Sequence, residues 1–356
     1  MKIWVDMLTP KQVHFLGRLS LRLRKEGHEV FNTTRLYREA NQLIKLLGFE
    51  ASIFGKHGGG TLEGKLLAST QRINELIPVI AMEQPDLAIS FSSPESARTS
   101  FGLGIPHYSI NDSPHAISVA LLTLPLSRKL FAPKVIPKEK WIQVGVKEER
   151  IIQYNALDPI VWTKNFKPDP LVLDELNLDI MKPIVVFRIE ESFAAYLIER
   201  SSQESVIIPI IKNLLKQYGD RIQVVILPRY EEQISMINTI FEGSVITPEK
   251  VIDGPSLLSF TSVFIGAGGT MTAEAALLGI PAISCYPREP TIVEEFLIRE
   301  RVIQRTTDPN VASSKIVSTL NNFDEVRSDQ IEKANKLIKN MEDPFDIIVK
   351  NLEVND

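Results

Sequence analysis

The stretch that decides the fold reads VFIGAGGTMTAEAALLGIPAISCY and spans residues 263–286. An apolar run ends in small residues at 266–269, and helix-favouring residues follow over 270–278. Gly279 ends that helix, and a second apolar run starts at Pro281. We therefore predict a strand, a glycine turn, a helix and a second strand, which together form the repeating unit of a parallel α/β sheet.

The glycine turn in this stretch predicts a binding site for a diphosphate. Backbone N–H groups of Gly266, Gly268, Gly269 and Thr270 would lie at the positive end of a helix dipole, at the carboxyl edge of a sheet. Glu274 lies one turn inside the helix, where a carboxylate can reach the two hydroxyls of a ribose. The segment therefore predicts a pocket for a nucleotide-diphosphate sugar.

Length and composition are those of an ordinary globular protein with two domains. The chain has 356 residues, of which 44% are hydrophobic and 24% are charged. Its single cysteine, Cys285, excludes a disulfide framework and predicts a reducing compartment. We see no signal peptide and no apolar run close to the roughly 20 residues that span a bilayer. We therefore expect a cytoplasmic protein.

Charge is distributed unevenly along the chain. Residues 1–165 carry 21 basic and 15 acidic residues, whereas residues 166–356 carry 19 and 29. A basic first half favours contact with phosphate or with an anionic membrane surface, although ordinary surface variation gives the same asymmetry. Basic residues are not interleaved with aromatic residues, which argues against nucleic acid as a partner.

Strand-like and helix-like segments alternate throughout, and the pattern restarts after the turn-like residues 167–170. We therefore predict an α/β protein with two Rossmann-like, doubly wound parallel-sheet domains that face a central cleft. The first domain covers residues 1–165 on the acceptor side, and the second covers 166–335 on the nucleotide-sugar side. Residues 336–356 are predicted to form a C-terminal helix that can cross back to the first domain.

Polar loops follow several predicted strands of the first domain. His14 lies near the start of a helix, where it can accept a proton, orient a hydroxyl or bind phosphate, or act only as a capping residue. The glycine-rich residues 55–60 are typical of a mobile loop that closes over an anion. Ser93 and Glu95 stand at a helix start, where a plain helix cap is an equal alternative.

A fourth loop holds consecutive polar residues directly after a buried strand, which is unusual for packing alone. These candidates for the acceptor side are Asn111, Asp112, Ser113 and His115.

In the second domain, Arg188 and Arg229 end strands and can contact a phosphate or a base, or pair with a neighbouring carboxylate. A Walker loop, zinc-ligand spacing and a Gly-x-Ser-x-Gly elbow are absent from the sequence, and the first turn lacks Gly-x-Gly-x-x-Gly. We therefore predict no metal and no cofactor, with the nucleotide sugar as a substrate.

Over most of its length the chain resembles the glycosyltransferase-B (GT-B) superfamily, and in particular an uncharacterised archaeal and bacterial family within it. It is similar to the membrane-associated N-acetylglucosaminyltransferases of peptidoglycan synthesis in three places. His14 corresponds to a histidine after the first strand, residues 104–106 lead to the polar acceptor loop, and Glu274 follows Gly268 by six residues. The chain departs from this family in its first turn, where residues 9–12 replace glycines.

The chain also resembles the UDP-N-acetylglucosamine 2-epimerase family. Residues 187–191 echo that family's His-Arg-Arg-Glu-Asn motif. However, the position of its catalytic aspartate falls on residues 91–94, which hold no acid, and that of its catalytic glutamate falls near Asn111.

These resemblances imply a metal-independent glycosyltransferase with a UDP-sugar as the expected donor and His14 or Asp112 as the base. A nucleotide-sugar 2-epimerase or hydrolase and a non-catalytic nucleotide- or glycan-binding protein are the alternatives. The sequence does not identify the acceptor, which is either lipid-linked or a glycan. It does not determine the oligomeric state. Residues 120–126, followed by Arg128 and Lys129, belong either to the core or to a peripheral contact with the inner membrane face.

Overall fold

The computed structural model describes residues 1–189, 206–228, 231–267 and 269–352. The chain divides into two compact units, each built on one sheet of parallel strands. The first unit is Met1–Trp162 together with the segment that starts at Met341, and the second is Thr163–Asn340.

The first unit contains a seven-stranded parallel sheet in the order β3-β2-β1-β4-β5-β6-β7. The order runs outward from β1 in both directions, so the chain changes direction between β1 and β4. This reversal is the topological switch point at which α/β folds place their ligands. The strands are β1 Lys2–Asp6, β2 Glu29–Leu36, β3 Ser52–Lys56, β4 Leu87–Ser90, β5 His107–Ile110, β6 Lys129–Pro133 and β7 Ile151–Tyr154.

The helices of the first unit begin at local start signals. Pro10 and Pro94 stand in the first turns of α1 and α4, where a missing N–H costs nothing, and the side chains of Thr61 and Ser93 cap α3 and α4. The helices are α1 Pro10–Lys25, α2 Arg38–Leu46, α3 Leu62–Glu83, α4 Pro94–Gly102, α5 Ile117–Thr123, α6 Lys138–Ile142 and α7 Ile160–Thr163.

The second unit contains a five-stranded parallel sheet in the order β12-β11-β10-β8-β9, with its switch point between β8 and β10. The strands are β8 Ile184–Arg188, β9 Gln223–Leu227, β10 Val263–Gly266, β11 Ala282–Ser284 and β12 Gln304–Arg305. The helices are α8 Leu171–Glu175, α9 Ile207–Tyr218, α10 Glu231–Phe241, α11 Gly254–Phe260, α12 Thr270–Leu277, α13 Ile292–Arg299, α14 Pro309–Asn321 and α15 Phe323–Lys339.

The strands of both sheets read as apolar runs because parallel strands are covered on both faces. In the second unit, alternate residues of β8, β9 and β10 pack with α9 and α14 in one buried cluster. In the first unit, Trp4 of β1 and Ala88 of β4 pack against Leu76 and Ile80 of α3. The predicted α/β class with two doubly wound parallel sheets is confirmed.

The sequence predicts one terminal helix, whereas the chain forms two. Helix α15 ends at Lys339, and α16, Pro344–Lys350, starts after Asp343, whose carboxylate accepts from the Phe345 N–H at 2.8 Å. Pro344 cannot continue a helix, because it has no N–H and restricts the residue before it. Within the first unit, Phe345 packs edge-on against Phe15 of α1 at 5.2 Å between ring centroids.

The sequence leaves residues 120–126 as either core or membrane contact, and the structure divides them between buried and exposed positions. Ala120 and Leu124 are buried in the first unit, whereas Leu121 and Leu122 are exposed. None of the described helices combines the length and the low polarity that a membrane span requires.

Candidate functional site

The strand ends of the second sheet lie side by side around its switch point. Gly266 of β10 is in register with Arg188 of β8 and Ser284 of β11. The Cys285 N–H donates to the Gly266 carbonyl at 2.7 Å, and the Ala267 N–H donates to the Arg188 carbonyl at 3.2 Å. The predicted glycine turn therefore starts at the centre of the carboxyl edge, where ligands bind in this class of fold.

The turn from β10 to α12 leaves the start of the helix without a side-chain cap. Gly269 is the N-cap residue and has φ +89°, a conformation that favours glycine. Because glycine carries no side-chain acceptor, it cannot satisfy the first-turn N–H groups of α12 as Thr291 does for α13. Thr270 is the first residue of the helix, and the dipole of α12 adds positive potential there. Gly268 lies outside the described residues.

Thr272 packs directly over Gly266 inside this turn. A Cβ atom on Gly266 would lie 2.6 Å from Thr272 Oγ1 and 2.8 Å from the ring of Phe264, so a larger residue requires these side chains to shift. The hydroxyl of Thr272 is buried and has no hydrogen-bond partner among the described parts of the chain. A buried hydroxyl of this kind calls for an explanation, and a ligand or water at the turn would provide one.

Glu274 lies in the middle of α12 and is only 4% exposed. It lies about one turn beyond the N-cap residue of the helix, as the sequence predicts, and its side chain is buried within the second unit. Its role as a ribose ligand stays a prediction.

Arg188, at the end of β8, forms hydrogen bonds to the backbone at the end of β9. Its Nη1 atom donates to the carbonyls of Pro228 at 2.6 Å and Leu227 at 3.4 Å. Arg229 lies outside the described residues.

A buried polar network beside the turn escapes sequence reasoning. Ser284 donates to the buried carboxylate of Glu294, whose Oε1 lies 3.8 Å from Arg305 Nε. Arg305 Nη2 in turn donates to the carbonyls of Tyr286 at 3.2 Å and Arg288 at 2.7 Å. The network fixes the loop that follows β11. No motif in the sequence marks it, because its members are brought together from three different elements.

The first unit builds a different site, in which buried charges are paired with one another. Lys11, in the first turn of α1, forms ion pairs with Asp112 after β5 and, at 2.7 Å, with Asp158 after β7. The hydroxyl of Tyr154 donates to Asp158 at 2.5 Å. Lys11 also lies 4.4 Å from the ring centroid of Phe91. Of these residues, the sequence pointed only to Asp112. Asp158 stands beside a proline in a segment that reads as a turn, yet it is 2% exposed.

The two aspartates respond to this environment in opposite directions. Burial alone would raise the pKa of Asp112, but the Lys11 ammonium and two hydrogen bonds outweigh burial and lower the pKa. Asp158 is enclosed more completely, and burial outweighs the attraction of Lys11, so the pKa of Asp158 is raised. Burial, with Asp158 beside it, raises the pKa of Tyr154 well above its usual value.

His14 is buried on α1 and stacks on Trp162, with 5.3 Å between ring centroids. Burial, assisted by the Arg18 guanidinium, lowers the pKa of His14 to about 3. Arg18 Nη1 donates to His14 Nδ1 at 3.1 Å, and arginine can only donate, so Nδ1 accepts and the ring proton is on Nε2. In this state Nε2 is a hydrogen-bond donor rather than a base.

A second ion pair lies at the β1–β4 switch point. Asp6, at the end of β1, accepts two hydrogen bonds from Arg72 of α3, at 2.6 and 3.0 Å, and both side chains are buried. Glu95 lies 3.8 Å from the same guanidinium. Ser93 caps α4 through the Ser96 N–H at 3.2 Å and donates to Glu95 at 3.3 Å. Ser93 therefore does act as a helix cap.

The polar loop after β5 is divided between the interior and the surface. Asn111 Nδ2 donates to Ser92 Oγ at 2.7 Å, and its carbonyl oxygen accepts from the Ser113 N–H at 2.7 Å. Ser113 Oγ donates to Asp112 at 2.9 Å. His115 is exposed. The structure thus brings Asp112 and Ser113 together beside Lys11 and directs Asn111 inward.

No cluster of three or more histidine, cysteine, aspartate or glutamate side chains is arranged to hold a metal ion within the ranges that the structure describes.

The chain belongs to the DUF354 family, whose profile is described as a protein of unknown function and matches residues 1–355. It is also similar to an uncharacterized protein of Methanocaldococcus jannaschii. The two are 31% identical over 311 residues, which cover 86% of this chain and 88% of the relative.

Solved structures with the same fold include the UDP-GlcNAc 2-epimerase of Neisseria meningitidis bound to UDP-GlcNAc. Its TM-score is 0.73 at 16% identity, covering 98% of this chain and 99% of the other. HepE of Anabaena in complex with UDP-glucose has a TM-score of 0.66 at 14% identity and covers 98% of each chain. These matches confirm the fold that the GT-B resemblance predicts.

Proposed function

We propose that this member of the DUF354 family is a metal-independent glycosyltransferase that takes its sugar from a nucleoside diphosphate, with a UDP-sugar as donor. The observation that carries this proposal is the uncapped start of α12 at the switch point of the second sheet. The solved structures of the same fold that hold UDP-GlcNAc or UDP-glucose support it.

In this proposal the diphosphate accepts hydrogen bonds from backbone N–H groups of the turn. Gly269 and Thr270 would contribute such groups. Gly268, which lies outside the described residues, is the third residue that the sequence predicts for this contact. Glu274 would accept from the ribose hydroxyls, and Arg188 with Arg229 would contact the base or a phosphate. Negative charge grows on the diphosphate as the sugar bond breaks, so fixed donors and the helix dipole stabilise the transition state.

The acceptor would bind at the carboxyl edge of the first sheet, with Ser113 and His115 as its contacts. Ser93, Glu95 and Asn111, the other candidates from the sequence, are buried at that edge. We propose Asp112 as the base that takes the acceptor proton, because Lys11 holds it ionised and 23% of its side chain is exposed. His14 would then orient the acceptor or a leaving oxygen by donating from Nε2. This division of roles replaces the equal choice between His14 and Asp112 that the sequence leaves open.

A second candidate function is epimerisation of a nucleotide sugar, because solved structures of the same fold include several UDP-GlcNAc 2-epimerases. Such a reaction removes and returns a proton, which requires acid and base groups at the sugar. In this chain the positions that correspond to the catalytic acids of that family, residues 91–94 and Asn111, hold no carboxylate. We therefore rank transfer above epimerisation.

A thermal-shift titration with UDP, UDP-GlcNAc and UDP-glucose tests the donor site, with ADP and inorganic diphosphate as controls. A ligand at about 100 times its Kd should stabilise the protein by about 2.7 kcal/mol. Absence of any shift with every nucleotide would remove the proposal.

Incubation of the protein with the bound UDP-sugar in deuterated water then separates the candidate reactions. Inversion at C2 with deuterium incorporation identifies an epimerase, and UDP release that depends on an added glycan or lipid-linked acceptor identifies a transferase. Tight binding with no turnover under either condition identifies a non-catalytic binding protein.

A further inference from the structure

Arg35, near the end of β2, is a cation that lacks a partner in the described part of the chain. Its Nε–H group is buried and has no acceptor there, and its guanidinium forms no ion pair with a described carboxylate. Burial outweighs the attraction of Glu95 and lowers the pKa of Arg35. A buried cation without a partner is costly, and an anion supplied by a ligand would offset that cost.

The acids that attract Arg35 are bonded to other groups. Asp6 accepts two hydrogen bonds from Arg72, at 2.6 and 3.0 Å. Glu95 accepts from Ser93 at 3.3 Å and lies 3.8 Å from the guanidinium of Arg72. The carboxylates of this edge are therefore directed to Arg72 rather than to Arg35.

Two aromatic rings lie beside Arg35 at the same edge of the sheet. The Cζ atom of Arg35 is 5.9 Å from the ring centroid of Tyr37, and Tyr37 stacks on His57 with 5.1 Å between centroids. We call Arg35, Tyr37 and His57 the Arg35 cluster. All three are partly exposed, so a ligand from solvent can contact them. A guanidinium, a phenol and an imidazole can each donate hydrogen bonds to such a ligand.

Backbone hydrogen bonds fix the Arg35 cluster in place. The side chain of Asn41 closes the turn from β2 to α2, because it accepts from the Tyr37 N–H at 2.9 Å and donates to the Arg35 carbonyl at 3.1 Å. The His57 N–H donates to the Leu36 carbonyl at 3.0 Å, which joins the residue after β3 to the end of β2. A site whose parts are already ordered loses less entropy when it binds a ligand.

The glycine-rich residues 55–60, which the sequence predicts to close over an anion, carry His57 into the cluster. Gly58 packs against the start of α3, where an added Cβ would lie 2.5 Å from Lys65 Cα. The Gly59 N–H donates to His57 Nδ1 at 3.2 Å, so the ring proton is on Nε2. The loop thus sets the position and the tautomer of the imidazole, whereas its closure stays a prediction.

The start of α2 adds backbone donors next to the cluster. Tyr37 is the N-cap residue and its side chain makes no capping hydrogen bond, so the first-turn N–H groups and the helix dipole favour an anion. Glu39 in the same turn contributes the opposing charge, and one of its oxygens is buried without a partner in the described ranges. A bound anion would have to overcome the charge of Glu39.

The donors of the Arg35 cluster match a phosphate group. The Nε–Nη edge of a guanidinium binds two oxygens of a phosphate or a carboxylate in parallel. Tyr37 and His57 can donate to a third oxygen, which a phosphate has and a carboxylate lacks. A phosphate monoester also carries a charge of about −1.5 to −2 at pH 7, which exceeds the single charge of Glu39.

We propose that the Arg35 cluster is a binding site for a phosphate group in the first unit. The phosphate belongs to a soluble ester or to a lipid, and both present the chemistry that the cluster recognises. The site goes beyond the proposed function, because phosphate binding there does not require that the protein transfer a sugar.

Isothermal titration of inorganic phosphate into the protein saturated with UDP tests the site, because UDP keeps phosphate from the turn of the second unit. The wild type should bind a single phosphate. Arg35→Gln should raise the phosphate Kd at least about tenfold, since it removes a charge-assisted hydrogen bond. Arg35→Lys keeps the charge but loses the fork, so its Kd should lie between the two. Glu39→Gln should lower the Kd, because it removes a like charge.

Arg221→Gln is the matched control. The Cζ atom of Arg221 lies 5.3 Å from the ring centroid of Tyr218 in the second unit, and Arg221 is exposed, so this variant should bind phosphate as the wild type does. Circular dichroism melting without phosphate checks that each variant folds. In an NMR spectrum of the arginine Nε–H groups, the resonance that Arg35→Lys removes should shift when phosphate is added to the wild type.

The failure of this site can be told apart from the failure of the nucleotide site. If the protein does not bind UDP, the same titrations without nucleotide give the affinities of the wild type and of Arg35→Gln. Methyl phosphate and vesicles that contain phosphatidic acid distinguish a soluble ester from a lipid phosphate, and binding of either should depend on Arg35.

Three results would overturn the phosphate site. One is a wild type that binds no phosphate at about 10 mM, and another is an Arg35→Gln protein that binds phosphate as tightly as the wild type. The third is acetate that binds more tightly than phosphate and depends on Arg35, which would assign the cluster to carboxylates.

Discussion

The carboxyl edges of the two sheets differ in the groups that they present: backbone at the second sheet and charged side chains at the first. At the second edge, glycines expose the backbone at Gly266 and Gly269, and the buried hydroxyl of Thr272 has no partner in the described structure. At the first edge, long charged side chains are buried in pairs around Lys11 and Arg72. The glycine turn of the second edge suits a ligand that brings its own negative charge. In our proposal, the paired charges of the first edge hold the acceptor. The comparison shows that the carboxyl edge of a parallel sheet can present either backbone N–H groups or charged side chains.

The largest expected effect is a loss of stability on removal of Lys11, the cation between the two aspartates of the first edge. Lys11→Met leaves the buried Asp158 and the partly buried Asp112 without their partner, so we expect a loss of about 3–5 kcal/mol in the free energy of unfolding. Urea denaturation measures this loss. The exposed Lys25→Met at the end of the same helix is the control. Adding Asp158→Asn to Lys11→Met should recover part of the loss, and a Lys11→Met protein as stable as wild type would show that the pairs are not formed in solution.

A side chain at Gly266 should disturb the turn between β10 and α12 at the second edge. Gly266→Ala brings a Cβ atom to 2.6 Å from Thr272 Oγ1, and we expect a cost of about 1–3 kcal/mol together with weaker UDP binding. Gly254→Ala is a suitable control, because its new Cβ meets nothing closer than 3.9 Å. Denaturation and calorimetric titration measure the two effects. Adding Thr272→Ala should recover only part of the stability, because the ring of Phe264 lies 2.8 Å from the same new Cβ. An unperturbed Gly266→Ala protein would contradict the close packing of the turn.

Glu274→Ala tests whether the second edge also uses a side chain. Loss of a charge-assisted hydrogen bond to the ribose should weaken binding of a UDP-sugar by about 1–3 kcal/mol. Isothermal titration calorimetry gives the affinity, with the exposed Glu295→Ala on α13 as the matched control. Unchanged affinity would remove Glu274 from the site and leave the turn as a backbone site alone.

The last prediction concerns the pH dependence of stability that the protonation of His14 causes. Because its folded pKa is about 3 and its ordinary value is 6.5, the unfolded chain binds the extra proton between these values. The stability from neutral His14 is complete above pH 6.5 and is lost as the pH falls toward 3, at up to about 1.4 kcal/mol per pH unit. His14→Gln should reduce the slope of unfolding free energy between pH 4 and 6 by about that amount.

The exposed His115→Gln is the control for this titration. An identical slope in wild type and His14→Gln would show that His14 is not enclosed as described. In an active enzyme, His14→Ala should leave donor affinity intact and lower transfer. A collapse of donor affinity would contradict the assignment of the donor to the second edge alone.

Much of the fold follows from local sequence patterns. The strands at 223–227 and 263–266 and the helix at 231–241 are visible as apolar runs, periodicity and glycine stops, because these signals depend on neighbouring residues. The turn at Gly266 and Gly269 is visible for the same reason. The strands β6 and β7 escape prediction, since Lys129–Pro133 and Ile151–Tyr154 are short and lack strong turn signals at both ends.

The charged part of the candidate site could not be predicted in the same way. Lys11, Asp112 and Asp158 are separated by long stretches of chain. The sequence points to Asp112, but Lys11 and Asp158 each look like solvated surface residues when they are considered alone. Arg72 reads as an ordinary polar position on α3, although it is 1% exposed and paired with Asp6. Only the order of strands brings these residues to one edge.

The sequence by itself determined the class of fold, the two repeats of the α/β pattern and the glycine turn, because all three rest on contacts between residues close in the chain. Only the tertiary structure decided which charges are buried together, which nitrogen of His14 carries the proton and which groups surround Arg35. Those properties depend on desolvation and on pairing between distant elements, and the energy of a buried charge is set by the partner that the fold places beside it.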